Sequence, residues 1–339
     1  MMIMKKIFLS VVCLVIVTLQ TMADTRQAIL LLHNGNGTMF EFTQLQDAVN
    51  AAEDGDTLLL SEGSFNTSLT INKKVSIIGV GQKSIIRGNI NVAIPDVVIS
   101  GTLGSETTEM PVVTATMLDA LQIRGNVQIT NRLSGFKMRK CWMTGHFDPA
   151  ANIYNATIDR CFINEVYSRS GLKSIKIQNC SITKIEWDYA SDTRNSEINF
   201  INCNIGTLEG YSNFKALYLN CIIKAPSAMI CRSTFINTLY TNAVKNNIST
   251  SNDLGCVSDQ CYVVDFNSTS GEDGFLTFSF TKEDLESGGY LGADGTVVGM
   301  EGGQTPFSLL PSRIAVTESQ LKVDTEKKQL NVTLKVKAN

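Results

Sequence analysis

Apolar and polar positions alternate in short runs through the middle of the chain, and the runs return at a near-constant interval. Five of them read FKMRKCWM, ATIDRCFI, IKIQNCSI, INFINCNI and ALYLNCII, with cysteines at 141, 161, 180, 203 and 221. The steps between those cysteines are 20, 19, 23 and 18. Met138, Ile158, Ile177, Phe200 and Tyr218 stand three places before each cysteine; Met143, Ile163, Ile182, Ile205 and Ile223 stand two places after. Alternation with period two predicts strands, and recurrence near 20 residues predicts stacked repeats. A leucine-rich repeat would need a helix or tight turn on its outer side and leucines at fixed places. Several short β runs per unit, with isoleucine or valine inward, fit a parallel β-helix, whose rungs stack about 4.8 Å apart. Asn179, Asn202 and Asn220 precede cysteines. Asparagine suits a bend there, because it tolerates left-handed backbone angles.

The same texture extends upstream through SLTINKKVSIIG, SIIRGNINVAI and DVVISGTLG, and downstream through SAMICRSTFI, NAVKNNIST and CYVVDF. The coil is therefore expected over residues 57–270. A solenoid needs covers at its ends. Residues 24–56 are read as an N-terminal strand and capping helix. Leu45, Ala48, Val49 and Ala52 share one face of that helix, and Thr43 is placed to cap it. Residues 271–339 are read as a C-terminal cap and β-hairpin: a Gly-rich stretch at 285–307, then the alternating runs SRIAVTESQLKV and QLNVTLKVKA.

The first segment changes the compartment. Lys5 and Lys6 precede the apolar run Ile7 to Leu19, and Thr21-Met22-Ala23 follows. This predicts a signal peptide over residues 1–23, and export to the periplasm, the outer surface or the medium. The apolar run is too short to span a bilayer, which takes about 20 residues. No other stretch is apolar enough to serve as a transmembrane segment. A net charge of -3, from 29 basic and 32 acidic residues, gives no basic footprint for nucleic acid. His33 and His146 are the only histidines, which excludes a His-rich metal site.

Cysteines stacked on consecutive rungs are about 4.8 Å apart, whereas a disulfide wants Cβ atoms about 3.8 Å apart. Cys141, Cys161, Cys180, Cys203 and Cys221 are thus expected to form a ladder of buried free thiols. Cys256 and Cys261 are close enough in sequence to pair.

Residues 45–65, LQDAVNAAEDGDTLLLSEGSF, resemble the opening of right-handed parallel β-helix proteins of the pectin-lyase-like fold. Gly55, Asp56, Leu58 to Leu60, Gly63 and Phe65 carry the resemblance. The run DGTVVGMEGGQTPF resembles a segment common in exported β-helix proteins of anaerobic Gram-negative bacteria. The resemblance implies an all-β fold, a right-handed parallel β-helix solenoid, and no single activity, since the fold hosts many.

The catalytic strings of polygalacturonase-like relatives are absent. His146 stands in MTGHFDP, without a second flanking glycine. Lyase-like relatives use clustered acids for calcium and an arginine or lysine base, and Glu186, Asp188, Asp192 and Arg194 are the candidates for that chemistry. The same stretch offers a binding strip. Trp187 and Tyr189 follow Cys180, and the equivalent offsets in neighbouring rungs hold Phe147, Tyr167, Glu209 and Tyr211. Aromatic rings stack on sugar faces and carboxylates accept hydroxyl hydrogen bonds. The leading expectation is an exported, non-catalytic surface β-helix protein that binds glycan or another surface ligand, without cofactor. The alternatives are a lyase or hydrolase of uronic-acid-containing polymers, with calcium if lyase-like, and a structural, adhesin-like surface protein.

Overall fold

The computed structural model describes residues 27–94, 98–103, 106–111, 116–149, 153–168, 172–187, 197–209, 215–226, 232–250, 255–270, 275–309, 314–324 and 329–338. It is a parallel β-solenoid in which each strand pairs with its counterpart one rung away. One inward column runs Leu58, Ile77, Leu118, Met138, Ile158, Ile177, Phe200, Tyr218 and Phe235. A second runs Ile123, Met143, Ile163, Ile182, Ile205, Ile223 and Tyr240. Both columns are buried in one continuous core. The repeat puts the same kind of side chain at the same depth on each rung. Burying an isoleucine fully is worth about 1.5–3 kcal/mol, so stacking is where the stability arises. Phe200, Tyr218 and Phe235 stack with ring centroids 5.1 and 4.9 Å apart.

The corner between these columns is left-handed backbone. Ala120, Lys140, Arg160, Asn179, Asn202, Asn220, Asn237 and Gln260 all have φ between 45 and 54°. A non-glycine residue pays for that conformation, asparagine least. The cost is offset because the turn keeps the hydrogen-bond ladder unbroken. Asn179, Asn202 and Asn220 each donate a backbone N–H to the carbonyl of Ile201, Leu219 and Ile236 on the next rung.

The cysteines form the expected ladder just past this corner. The backbone N–H groups of Cys141 and Cys161 point at the sulfurs of Cys161 and Cys180, at 3.5 and 3.3 Å. Thr238 holds the next place, where its hydroxyl accepts from the Cys221 N–H, and Cys261 follows it. All seven described cysteines are free, Cys256 and Cys261 included, so those two do not pair in this structure.

At the N-terminal edge, Ile29–Leu32 runs antiparallel to Thr57–Leu60 on one side and to Met39–Phe42 on the other, so the parallel ladder ends there. The helix Leu45–Ala51 buries Leu45, Ala48 and Val49, with Ala52 beside them. Its N-cap is Gln44, not Thr43, and no side chain caps it; the preceding strand Met39–Phe42 leaves only two linking residues. Asp56 is almost fully buried and ties this cover to the first rung. It accepts from His33 Nδ1 and from the N–H groups of Asn34 and Glu53. Burial raises its carboxyl pKa, but those hydrogen bonds outweigh it and hold the value below the ordinary one.

Two segments with rung-like texture are not rungs. Val98–Leu103 pairs antiparallel with Glu106–Pro111 as a hairpin that leaves the coil. Asn242–Thr250 is a helix, because Val244 and Ile248, four apart, reach the core on one face. Its start is held by Asp265, which accepts from the backbone N–H and side-chain amide of Asn242 at 3.0 and 2.8 Å.

The Gly-rich run lies along the flank of the coil rather than across its end. Trp142, Phe162, Ser181, Asn204, Ile222, Leu239 and Tyr262 form one outward column on successive rungs. The C-terminal segment covers it step by step. The Phe275 ring lies 5.3 Å from both Trp142 and Phe162, stacked on the first and tilted at 51° to the second. Ser181 donates to the carbonyl of Leu276, the Met300 N–H donates to Asn204, and Tyr262 donates to the carbonyl of Leu291. Ile222 and Leu239 join a second apolar cluster with Phe266, Leu276, Phe278, Leu285, Val297 and Val298. Close approach explains the glycines: a Cβ on Gly299 would lie 2.4 Å from Asn204 Oδ1, and its φ is +84°. Beyond this strap, Ile314–Asp324 and Gln329–Ala338 pair as an antiparallel hairpin.

Candidate functional site

Register decides which candidate residues meet. Tyr167 pairs with Glu186, and Glu186 with Glu209, so these three positions share one column of the coil wall. Trp187 pairs with Ser168 in the neighbouring column. Asp188, Tyr189, Asp192, Arg194 and Tyr211 lie outside the described residues. Phe147 does not belong to the strip. The register shifts between Met143 and His146, which sets Phe147 against Val166 and turns it into the core.

That shift builds a polar group that the cysteine spacing alone does not reveal. His146, Glu165 and Lys184 stand on successive rungs. Lys184 Nζ lies 2.6 Å from a Glu186 oxygen and 3.4 Å from a Glu165 oxygen, and His146 Nδ1 lies 4.0 Å from the other Glu165 oxygen. The His146 and Tyr167 rings meet edge to face at 6.4 Å. The hydrogen bond from Lys184 is the main reason that the Glu186 carboxyl sits below its ordinary pKa, against the opposing pull of burial. Glu186 is therefore held as a carboxylate, which suits accepting a hydroxyl proton in a hydrogen bond and not delivering one as a general acid. The signal in the sequence was one of spacing: Glu165 and Lys184 are 19 residues apart, one rung.

A cleft of about 520 Å³ opens on the adjacent wall. Asn199, Leu217 and Thr234 form its middle on three successive rungs, since Asn199 pairs with Leu217 and Leu217 with Thr234. Glu197 and Arg232 stand at its edge, with Gly255 beside Arg232. The cleft thus offers a carboxylate, an amide, a hydroxyl and a guanidinium over an apolar floor. Those are the groups that orient a polar ligand in a cavity of ordinary ligand size. Glu197 opens the strand that follows residues 188–196, the stretch holding Asp188, Tyr189, Asp192 and Arg194.

A third polar network is structural. Asp119 takes a bidentate contact from Arg139, and Asp159 accepts from Gln178 at 3.0 Å and Arg160 at 2.8 Å. These pairs neutralise charges on the coil wall. Among the described residues, no three His, Cys, Asp or Glu side chains are grouped to hold a metal.

No family model matches the chain, and no curated protein matches it. Among solved structures it is similar to a mutant of the PL6-family alginate lyase AlyGC, at 12% identity and a TM-score of 0.23. The likeness covers 77% of this chain and 56% of that one, and it carries no functional inference here.

Proposed function

We propose that this chain is an exported, surface-associated β-solenoid that binds glycan without cleaving it. Lys5, Lys6 and the apolar run to Leu19 support export. The observation that carries the binding reading is the cleft of about 520 Å³ with Glu197, Asn199, Thr234 and Arg232 arranged around Leu217. Rungs about 4.8 Å apart offer polar groups at a regular interval along the axis, which matches a ligand that is itself a chain of repeating units. Tyr167 and Glu186 extend polar and aromatic contacts onto the next wall. Trp187 ends the strand Ser181–Trp187 on that wall, and Tyr189 lies outside the described residues.

A lyase or hydrolase acting on uronic-acid polymers remains the second reading. It requires Asp188, Asp192 and Arg194 to act with Glu186. The hydrogen bond from Lys184 already occupies the Glu186 carboxylate that a lyase would need for calcium and holds it ionised, which also disfavours it as the proton donor of a hydrolase. A structural, adhesin-like role needs neither cleft nor strip.

Binding to immobilised and soluble polysaccharides, read by glycan array and then by calorimetry, tests the proposal. Arg232→Ala and Asn199→Ala should each weaken binding about tenfold or more, and Trp187→Ala with Tyr189→Ala should weaken it further. Unchanged affinity in all four variants would sink the assignment.

A further inference from the structure

The strap that covers the outward column leaves a second cavity, distinct from the glycan cleft. It measures about 360 Å³ and lies between the strap, the strand Leu276–Phe278 and the helix Lys282–Ser287. Phe275, Phe278, Phe280 and Phe307 line it, together with the aliphatic side chains of Ile222, Leu285, Val298 and Met300. Phe275 and Phe278 also close the strap, by covering Trp142 and Phe162 and by joining the second apolar cluster, while Phe280 and Phe307 are only half-buried.

The space opens to solvent, since Thr277, Thr281 and Lys282 in its lining are exposed, and its volume lies within the range of small-molecule sites. We infer that it is a binding site for a small neutral aromatic molecule carrying one polar group. Three features select that class. Phe275 and Phe307 are tilted at 36° with centroids 6.0 Å apart, so a guest ring meets aromatic surfaces at two inclinations. The charged residues around it have opposite signs: Lys282 and Glu301 both line the cavity, and Lys282 lies 3.8 Å from Glu286. They therefore cancel as a selector of charge, and an ionised guest would lose its hydration among phenylalanines. Thr277, Thr281 and Asn204 are the neutral polar residues of the lining, enough to meet a single polar group on the guest.

The probe is N-phenyl-1-naphthylamine, neutral and fluorescent only in apolar surroundings, titrated into the purified protein. The expected result is saturable binding at one site per chain. Thr277→Trp and Met300→Trp, which add bulk to the lining, should each weaken it at least tenfold. Arg232→Ala, in the glycan cleft, should leave it unchanged, which separates this site from the first. Methyl NMR of Met300 in the unaltered protein provides a reading that does not depend on the variants folding: its resonance should shift on adding probe. Absence of saturable binding, binding that both filling variants retain, or an unmoved Met300 resonance would each overturn the assignment.

Discussion

Asn179 donates its side-chain amide to the carbonyl of Gly302 at 2.8 Å, joining positions 123 residues apart. Asn220 acts in the same way two rungs on, accepting from the Ala293 N–H at 3.0 Å. The corner asparagines thus serve twice: their backbones make the left-handed turn, and their side chains dock the strap. Asn179→Ala should cost about 1–2 kcal/mol, the value of a buried hydrogen bond plus a left-handed residue with poorer tolerance. Limited proteolysis should then cut within 290–303 before any cut in the coil. Uniform digestion would contradict the docking role.

Gly299→Ala tests the close approach from the other side. Its Cβ would collide with Asn204 Oδ1 at 2.4 Å in a backbone conformation that side chains avoid. The expected loss exceeds that of a surface glycine change, about 2 kcal/mol or more by chemical denaturation. A neutral effect would mean that the strap does not sit against Asn204.

The thiol ladder predicts a pattern of reactivity. Burial pushes the Cys141, Cys180 and Cys221 thiols well above their ordinary pKa, while at Cys161 and Cys203 burial is outweighed by hydrogen bonds from the flanking thiols, which pull both below it. All five are fully buried, so no reagent reaches them in the native state whichever way they are shifted. In native buffer, a thiol reagent should label the half-buried Cys261 and leave the five ladder cysteines untouched; in denaturant without reductant, all five should react. Mass spectrometry of the labelled peptides checks both halves. Disulfides among 141, 161, 180, 203 and 221 would contradict the ladder.

Asp56 predicts a pH dependence with a defined sign. Its folded pKa lies below the unfolded one, near 3.9, so the charged form stabilises the fold. That contribution is complete above the unfolded value and is lost as pH falls through the lower folded value. Asp56→Asn should cost about 2–3 kcal/mol at pH 7, from hydrogen bonds made to a buried charge. The gap between variant and parent should narrow as the pH drops below about 4. A gap independent of pH would show that the carboxylate charge plays no part.

Lys184→Met should raise the Glu186 pKa toward its ordinary value, because the hydrogen bond from Lys184 is the main cause lowering it. Carboxyl carbon NMR across acidic pH reads this directly. An unmoved titration would mean that Lys184 and Glu186 do not pair in solution.

The core was legible because each rung repeats one rule: an apolar residue three before the cysteine and another two after it. Met138 to Tyr218 and Met143 to Ile223 occupy the columns that this rule assigns. Offsets failed wherever the backbone departed from the repeat. The shift between Met143 and His146 sent Phe147 inward, and the four-residue spacing of Val244 and Ile248 made a helix where rungs were expected. The strap was hidden because its partners lie about 100 residues away. Its trace was present in the outward places: Trp142, Phe162 and Ile222 stand directly after cysteines, where a solvent-facing column should be polar. The polar group of His146, Glu165 and Lys184 needed the register first, since nothing local links residues one rung apart.

The most direct test of the account follows binding and cleavage on the same samples. Purified protein, its Arg232→Ala variant and its Asn199→Ala variant are incubated with a panel of neutral and uronic-acid polysaccharides, with calcium present. Retention of each polysaccharide and release of new chain ends are both measured over a day. The account predicts saturable retention of at least one polysaccharide, lost in both variants, with no new chain ends. Release of chain ends, or retention that both variants keep, would contradict it.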